Sequence, residues 1–412
     1  MNTLKIRGAW AGTGEVGNTR EGVERYLDQV AKAGINALFM GLKEGDGRIC
    51  WPSEQFAACV KPEYREFDLP AVLLEECRMR GIALHAWFID YYEGEQGAAY
   101  QQHPEWAALN KYGRPTCDET LRGRRYESAW MCPARRPGYT DQWLVPMYEE
   151  FASKYEVASI HHDYIRYPGD LAPDQYCFCD YCLEELPKWA GFINEAYPDE
   201  PFFHELYDRP YLEAHWEQSP RVLPAYWDKM DRLAKANFIL EGSFFQAGRA
   251  DLDYFFYRYR IHQITEFARL SHEAVQRANP KVKLSGAIFK NPIHSGRFIG
   301  QDWREFAPYM PITIPMDYRD HFPGTFEQYL DLLAETIGRQ KVWAKGFESL
   351  WIGIAVNFLY HEEARAKEKF GPEKLRKALA RIGETGVEGA ILFCTGQLTE
   401  FDLWDCLPEA WC

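Results

Sequence analysis

The chain has 412 residues, of which 46% are hydrophobic, and its formal net charge at pH 7 is −14. A large buried core is therefore possible, whereas the negative charge argues against nucleic acid as a partner because phosphates would be repelled. The longest apolar stretches, such as 352–356, are far shorter than the ~18 residues of a membrane-spanning helix, so no membrane partner is expected.

Compartment and composition give two further expectations. The first apolar run follows Met1 almost directly, without a signal peptide, and the eleven cysteines are an odd number. Both features predict a cytoplasmic protein. Aromatic residues make up 16% of the chain. Their flat faces suit the stacking of sugar rings, although aromatic side chains also fill large cores.

Apolar runs alternate with amphipathic stretches along the whole chain, a pattern typical of parallel strands joined by helices. Asn18 with Glu21 predicts a capped start of the first helix, and Asp68 with Pro70 predicts the start of the second. Strands are predicted at 4–11, 35–42, 82–89, 157–165, 282–289, 312–318, 342–347 and 387–394. Helices are predicted between them, among others at 143–155, 253–279, 303–309, 325–338 and 372–382.

Eight such units predict a single (β/α)₈ barrel, a TIM barrel, over residues 1–412. A doubly wound open sheet is the alternative, but the chain has no glycine-rich phosphate loop to support it. More than a hundred residues separate the fourth and fifth strands, too many for a structureless connection. We therefore predict that residues 170–250 form an inserted, lid-like subdomain, with Tyr226 or Trp227 over the cleft.

Barrel enzymes take their catalytic groups from the C-terminal ends of the strands. The fourth strand ends with Asp163 among His161, Tyr164 and Arg166. Strand alternation puts His161 and Asp163 on one face. This concentration of polar groups predicts a functional Asp163, and the alternative is a buried structural Asp–Arg pair.

Three other strand ends supply candidate residues. His85 and Trp87 share a face of the third strand and are predicted to line the pocket, although His85 could instead be a hydrogen-bonded core histidine. Asp317 at the end of the sixth strand and Glu348 at the end of the seventh are the predicted carboxylate partners of Asp163. Each of the two could instead cap a loop.

Carboxyl groups around one barrel mouth suit glycoside hydrolysis, which needs one carboxyl group as acid and another as nucleophile or base. Arg166 should favour the ionised form of Asp163, so Asp163 is predicted to act as nucleophile or transition-state stabiliser. Its partner, Asp317 or Glu348, should lie in a drier setting that raises its pKa. This chemistry requires no cofactor.

Several segments resemble, in order over residues 5–320, the bacterial glycosyl-hydrolase-like barrel proteins related to the α-amylase clan. The most specific of them is the fourth-strand segment from His162 to Pro168. The other matching segments are Arg7-Gly8-Ala9-Trp10, His85-Ala86-Trp87-Phe88, His103-Pro104-Glu105-Trp106, Met131-Cys132-Pro133-Ala134, Gly300-Gln301-Asp302-Trp303 and Pro315-Met316-Asp317-Tyr318.

This resemblance implies a (β/α)₈ barrel, Asp163 as the leading catalytic residue and a polysaccharide or glycan substrate. Trp10 and Tyr318, in two of the matching segments, are expected to contact the carbohydrate together with His85, Trp87, His161, Tyr164 and Arg166. The seventh strand departs from the pattern, so the role of Glu348 depends on position alone. The missing secretion signal, which many such proteins carry, points to an intracellular oligosaccharide.

Cys177, Cys179 and Cys182 place three thiols within six residues after the fourth strand. This spacing suits a structural zinc ion with Cys132 or a nearby histidine as fourth ligand. Reduced, partly buried thiols are the alternative, and redox chemistry or a disulfide are others. The resemblance implies that the cluster braces the loop over the active site.

Two other functions are compatible with the sequence. A metal-dependent sugar isomerase or lyase could bind a divalent ion through His85, His161, Asp163, Asp317 and Glu348. A non-catalytic glycan-binding barrel would bind carbohydrate without turnover.

Overall fold

The computed structural model describes residues 4–126, 128–169, 176–193, 221–223, 226–241, 250–360, 363 and 371–411. Within these ranges eight parallel strands close into a barrel, and strands that follow one another along the chain are neighbours in the sheet. The strands are β1 (Ile6–Ala11), β2 (Ala37–Lys43), β3 (Ala83–Ile89), β4 (Ser159–Asp163), β5 (Lys283–Phe289), β6 (Ile312–Met316), β7 (Ser349–Ala355) and β8 (Gly389–Phe393). The predicted (β/α)₈ barrel is confirmed.

Helices surround the barrel and also build the segment between β4 and β5. The longer ones are α1 (Arg20–Lys32), α2 (Leu69–Met79), α3 (Val145–Lys154), α4 (Asp180–Trp189), α5 (Arg232–Glu241), α6 (Ala250–Ala278), α7 (Pro292–Ile299), α8 (Phe326–Trp343) and α9 (Glu373–Glu384). Shorter helices span Ala98–Gln102, Val356–Leu359, Thr395–Glu400 and Leu407–Ala410. Short strands outside the barrel span Tyr92–Gly94, Thr120–Leu121, Arg124–Arg125, Ser128–Trp130, Phe192–Ile193 and Arg221–Val222.

Side-chain caps fix where several outer helices begin. Asp68 accepts a hydrogen bond from the Ala71 amide at the start of α2, as predicted. The cap of α1 is Thr19 and not Asn18, because the Thr19 hydroxyl accepts the Gly22 amide. No helix in the described ranges combines the length and the apolar character needed to cross a bilayer.

The seventh strand lies later in the chain than predicted. Residues 342–347 were expected to form it, but α8 continues through Trp343 and Val342 is exposed on that helix. The strand is instead Ser349–Ala355. Val342 and Trp343 form the last turn of α8 and Ala344 caps it, so this short apolar run in the sequence was misleading about the type of element.

Alternation along the strands separates two apolar layers. Residues that point into the barrel form one cluster, which includes Trp10, Phe39, Ile314, Trp351 and Ile391. Residues that point outward pack against the helices in a larger cluster. The barrel is therefore filled by side chains, and a ligand can reach only the layer at the strand ends.

The predicted lid lies only partly within the described ranges, because residues 170–175, 194–220, 224–225 and 242–249 fall outside them. In the described parts, Trp189 of α4 packs against Tyr259 and His262 of α6. Trp227 is buried against Phe238 of α5, whereas Tyr226 is exposed. A lid role for residues 170–250 stays a prediction.

Candidate active site

Asp163 is the last residue of β4, and its side chain points toward the axis at the C-terminal mouth of the barrel. One carboxylate oxygen, Oδ2, accepts a hydrogen bond from the indole Nε1 of Trp87 at 3.1 Å. The other, Oδ1, accepts one from the Tyr164 amide at 2.7 Å. The side chain is only 8% exposed. Asp163 is thus a nearly buried carboxyl group that retains a small accessible area at the mouth.

Burial dominates the electrostatics of Asp163. It raises the pKa of this carboxyl group from 3.8 to about 6, although the Arg166 charge and the bonds from Tyr164 and Trp87 act in the opposite direction. Arg166 favours the ionised form of Asp163, as expected, but desolvation outweighs this attraction and the net shift of the pKa is upward. A carboxyl group with this pKa is partly protonated near neutral pH, as an acid catalyst requires.

The turn after β4 holds Arg166 beside the carboxyl group. Tyr164 adopts a left-handed backbone conformation with φ of 54°, which is uncommon for a residue other than glycine and is often found at functional sites. The Arg166 guanidinium lies 4.3 Å from the centre of the Tyr164 ring and 5.2 Å from that of Trp130. Its Nε and Nη1 atoms are buried and have no hydrogen-bond partner among the described residues.

Half-buried aromatic rings from three strands surround the centre of the mouth. Trp87 of β3 meets Phe393 of β8 edge-on at 6.3 Å, and Phe393 stacks on Tyr318, just after β6, at 5.8 Å. His321 continues this row, with its ring 5.6 Å from that of Tyr318. Trp87, Tyr164, Arg166 and Tyr318 therefore lie together around Asp163, as the sequence predicted.

The other three predicted binding residues lie below the mouth in one buried hydrogen-bond chain. Trp10 Nε1 donates to His161 Nε2 at 3.0 Å, and His161 Nδ1 meets Ser285 Oγ at 2.9 Å. Ser285 Oγ and Ser159 Oγ lie 2.7 Å apart, and Ser159 Oγ is 2.7 Å from His85 Nδ1. All five side chains are buried. The prediction that Trp10, His161 and His85 line the pocket is wrong, because they fill lower layers of the barrel.

This buried hydrogen-bond chain fixes the tautomers of both His161 and His85. An indole nitrogen can only donate, so His161 must accept at Nε2 and carry its proton on Nδ1. His161 Nδ1 then donates to Ser285. Both serine hydroxyl protons form hydrogen bonds within this chain if Ser285 donates to Ser159 and Ser159 donates to His85 Nδ1. Burial lowers the pKa of His85 to about 3 and also lowers that of His161 well below its usual range. Both rings are thus neutral hydrogen-bonding groups of the core.

Asp317 points away from the mouth. The preceding residue, Met316, faces the barrel axis, so alternation directs Asp317 outward against α8. There Asp317 Oδ1 accepts a hydrogen bond from Gln340 Nε2 at 2.9 Å, and Oδ2 has no partner among the described residues. Burial raises the pKa of Asp317 to about 7. The prediction that Asp317 faces the mouth is wrong.

Glu348 lies at the opposite end of the barrel. It precedes β7 instead of ending it, and its carboxylate forms an exposed ion pair with Lys283, the first residue of β5, at 2.5 Å. The prediction that Glu348 faces the mouth followed from the misplaced seventh strand and is wrong. Glu348 and Asp163 are separated by the filled barrel.

A carboxylate that the sequence interpretation did not select lies at the same end of the barrel as Asp163, in the turn after β6. Asp320 is exposed in the turn after β6, two residues after Tyr318. Burial raises the pKa of Tyr318, and the Asp163 and Asp320 charges add to that rise, so both carboxylates act on one phenol group. The neighbouring His321 feels both the Asp320 and the Arg166 charges. Asp320 could have been selected from the sequence, because polar groups are dense just after the strand in Tyr318-Arg319-Asp320-His321.

The cysteine cluster forms next to the active-site loops. Cys177, Cys179 and Cys182 meet Cys132, which comes from the connection after β3, and the four Sγ atoms lie within 4.8 Å of one another. All four side chains are buried. The sequence had named Cys132 as one possible fourth member, and the fold brings it there.

Residues 12–335 match the sequence profile of a family described as "Putative glycosyl hydrolase domain". No curated protein matches the chain. The fold is similar to that of the PgaB (BpsB) glycoside hydrolase domain from Bordetella bronchiseptica, with a TM-score of 0.66 and 12% identity over 99% of each chain.

Two further solved structures share the barrel. A β-galactosidase from Rahnella sp. R3 matches with a TM-score of 0.59 and 15% identity, over 95% of this chain and 50% of that one. The catalytic domain of a β-amylase from Paenibacillus polymyxa matches with a TM-score of 0.56 and 11% identity, over 96% of this chain and 94% of that one. At such low identity these likenesses establish the fold alone.

Proposed function

The chain belongs to the glycosyl hydrolase family whose profile spans residues 12–335, and we propose that it cleaves the glycosidic bond of an oligosaccharide or glycan with Asp163 as the acid. The proposed role of Asp163 rests on its position at the mouth of the barrel, where burial raises the pKa of its carboxyl group to about 6. In this reaction the Asp163 proton passes to the leaving oxygen as the bond to the anomeric carbon breaks. The relation to the α-amylase clan stays a prediction.

Carbohydrate recognition is proposed for the aromatic row and for Arg166. The half-exposed faces of Trp87, Tyr318 and Phe393 offer stacking surfaces for sugar rings. Buried donors are rarely left without a partner in proteins. The Nε and Nη1 atoms of Arg166, which have no partner among the described residues, are thus suited to bind hydroxyl or carboxylate oxygens of the substrate.

Asp320 is our proposed second carboxylate. It lies in the turn after β6, and its charge, like that of Asp163, raises the pKa of Tyr318. It would either attack the anomeric carbon or take a proton from the water that attacks it. The first route retains the anomeric configuration and the second inverts it, so following the product anomer by proton NMR assigns the role of Asp320.

The test compares three carboxyl-to-amide variants on oligosaccharides and aryl glycosides, including β-galactosides because one similar structure is a β-galactosidase. Asp163→Asn should lower kcat by about 10²–10⁴-fold, the usual contribution of a positioned acid or base. Asp320→Asn should cause a loss of similar size. Glu348→Gln is the matched control and should retain turnover, because Glu348 lies at the other end of the barrel.

Near wild-type turnover by Asp163→Asn on the best substrate would refute its assignment as acid. The same comparison separates the alternatives. A non-catalytic glycan-binding barrel would bind carbohydrate equally well before and after the Asp163 substitution and release no reducing ends. The metal-dependent isomerase or lyase is not favoured, because Asp317 faces α8 and Glu348 faces the opposite end, so its five ligands do not converge.

We also propose that the protein works in the cytoplasm on an intracellular oligosaccharide. None of the ten cysteines in the described ranges forms a disulfide and most of them are buried, which suits a reducing compartment. Fractionation of the source cells, with immunodetection of the protein, should locate it in the cytoplasmic fraction.

A further inference from the structure

The four clustered cysteines come from two distant parts of the chain. Cys132 ends a loop that follows β3, whereas Cys177 and Cys179 precede α4 and Cys182 lies in its first turn. The Cys132 and Cys182 sulfurs are 3.5 Å apart, and the Cys132 and Cys179 sulfurs are 3.7 Å apart. Four thiols from separate segments thus converge on one buried point.

This geometry fits a tetrahedral metal centre. Four sulfurs at ~2.3 Å from a zinc ion lie about 3.8 Å from one another, close to the two separations above. The sulfurs of a disulfide would lie at ~2.05 Å. Such a site also uses the spacing typical of zinc ligands, with Cys179 and Cys182 in a C-x₂-C pair at a helix start.

We propose that Cys132, Cys177, Cys179 and Cys182 bind one structural zinc ion as a closed tetrathiolate site. All four positions are filled by protein sulfurs, which leaves no position for water and separates this site from the chemistry at the mouth. The ion ties the loop after β3 to the start of α4.

A backbone donor reaches one sulfur of the cluster, and a cation lies beside the aromatic ring next to Cys182. The Cys179 amide donates to Cys177 Sγ at 3.4 Å, an outer hydrogen bond of the kind that orients metal ligands. Arg135, three residues after Cys132, lies 5.9 Å from the ring of Tyr181, which directly precedes Cys182. The Arg135 side chain has a buried Nε without a partner among the described residues.

The zinc ion would also support the wall of the mouth. Cys132 follows Trp130 by two residues, and Trp130 packs against Tyr164 at 5.6 Å and lies beside Arg166. The Cys132 amide donates to the Trp106 carbonyl at 2.8 Å, which continues the same scaffold. A fixed Cys132 therefore holds the aromatic surface on which the Arg166 guanidinium lies.

Metal analysis of the full chain tests the proposal without any substrate. The protein is produced with added zinc salt, purified without chelator and analysed by inductively coupled plasma mass spectrometry. We expect about one zinc ion per chain, as a single four-ligand site requires. Replacement by Co²⁺ should give the intense sulfur-to-cobalt charge-transfer absorption of a tetrahedral thiolate site.

Cys179→Ser removes one ligand and should lower the zinc content by about tenfold or more, because a closed site loses a quarter of its donors. Cys77→Ser is the matched control, since Cys77 is an equally buried thiol on α2 outside the cluster. If Cys179→Ser does not fold, the Co²⁺ spectrum of the wild-type chain still decides.

Three results would each overturn the proposal. The first is wild-type protein that binds neither zinc nor Co²⁺ stoichiometrically. The second is undiminished zinc in folded Cys179→Ser protein. The third is a disulfide among the four cysteines, detected by mass spectrometry under non-reducing conditions after purification without oxidant.

Discussion

The hydrogen bond from Trp87 to Asp163 offers the most direct test of Asp163 as the proposed acid. Replacing Trp87 by Phe retains an aromatic ring at the mouth but removes the Nε1 donor that lies 3.1 Å from Asp163 Oδ2. This donor stabilises the charged form of the carboxyl group and so lowers its pKa. Without it, the pKa of Asp163 should rise.

The size of that rise follows from the energy of one hydrogen bond. A bond to a charged group contributes about 1.5–3 kcal/mol, and one pKa unit corresponds to about 1.4 kcal/mol. The upper limit is therefore about 1–2 units. A protonated carboxyl group can still accept a weaker bond from the indole, so a net rise of about one unit is expected, from about 6 toward about 7.

The assay is the pH dependence of kcat/KM for wild-type and Trp87→Phe protein on the same substrate. If Asp163 is the acid, the alkaline limb of the profile should move up by about one unit, because the acid stays protonated to higher pH. Trp351→Phe is the matched control. Trp351 also lies in the barrel interior, but its Nε1 has no described partner, so both limbs should stay in place.

Which limb of the pH profile moves distinguishes the possible roles of Asp163. Movement of the acidic limb alone would show that the ionised form is needed, and Asp163 would then be nucleophile or base. If Trp87→Phe remains active and neither limb moves, the reasoning about this hydrogen bond is refuted.

Three further predictions concern stability, each measured by denaturant unfolding. Asp317→Asn should stabilise the protein by up to about 4 kcal/mol at pH 8 and hardly at all at pH 4. The reason is that Asp317 keeps its proton up to about pH 7 in the folded state but loses it near pH 4 in the unfolded state. Equal effects at both pH values would contradict this. Lys43→Met should cost about 3–5 kcal/mol, because it leaves the fully buried Glu93 without the ammonium group 3.3 Å away; a cost below 1 kcal/mol would mean that water or other groups reach Glu93. Ser285→Ala should cost about 1–3 kcal/mol, because it leaves the Nδ1 proton of His161 unpaired in the core, and an unchanged midpoint would show that the core relaxes to satisfy it.

The barrel could be predicted from the sequence because its strands repeat one simple pattern. Seven of the predicted strands overlap the observed ones, since each contains a short apolar run set off by more polar sequence. The exception is β7, where the short apolar run that begins at the exposed Val342 belongs to the end of α8 but imitates a strand in the sequence. That one displacement also moved Glu348 from the start of a strand to its end.

The site was predictable in part. Strand alternation predicts which face of the sheet a side chain lies on, but not how far along the barrel axis it lies from the mouth. His161 and Asp163 share a face of β4, yet one lies in a core layer and the other at the mouth. The direction of Asp317 could have been derived from the inward face of Met316. The meeting of Cys132 with the other three cysteines depends on how two long connections pack, which local patterns do not encode.

The buried chain from Trp10 to His85 also constrains how this barrel can evolve. Each link uses a specific proton, so a change at one position leaves its neighbours with the wrong donor or acceptor. Single substitutions in the chain should therefore be costly, whereas a second, compensating change should recover much of the loss. Relatives should replace these five residues as a group, and double-mutant cycles between His161 and Ser285 should show strong epistasis.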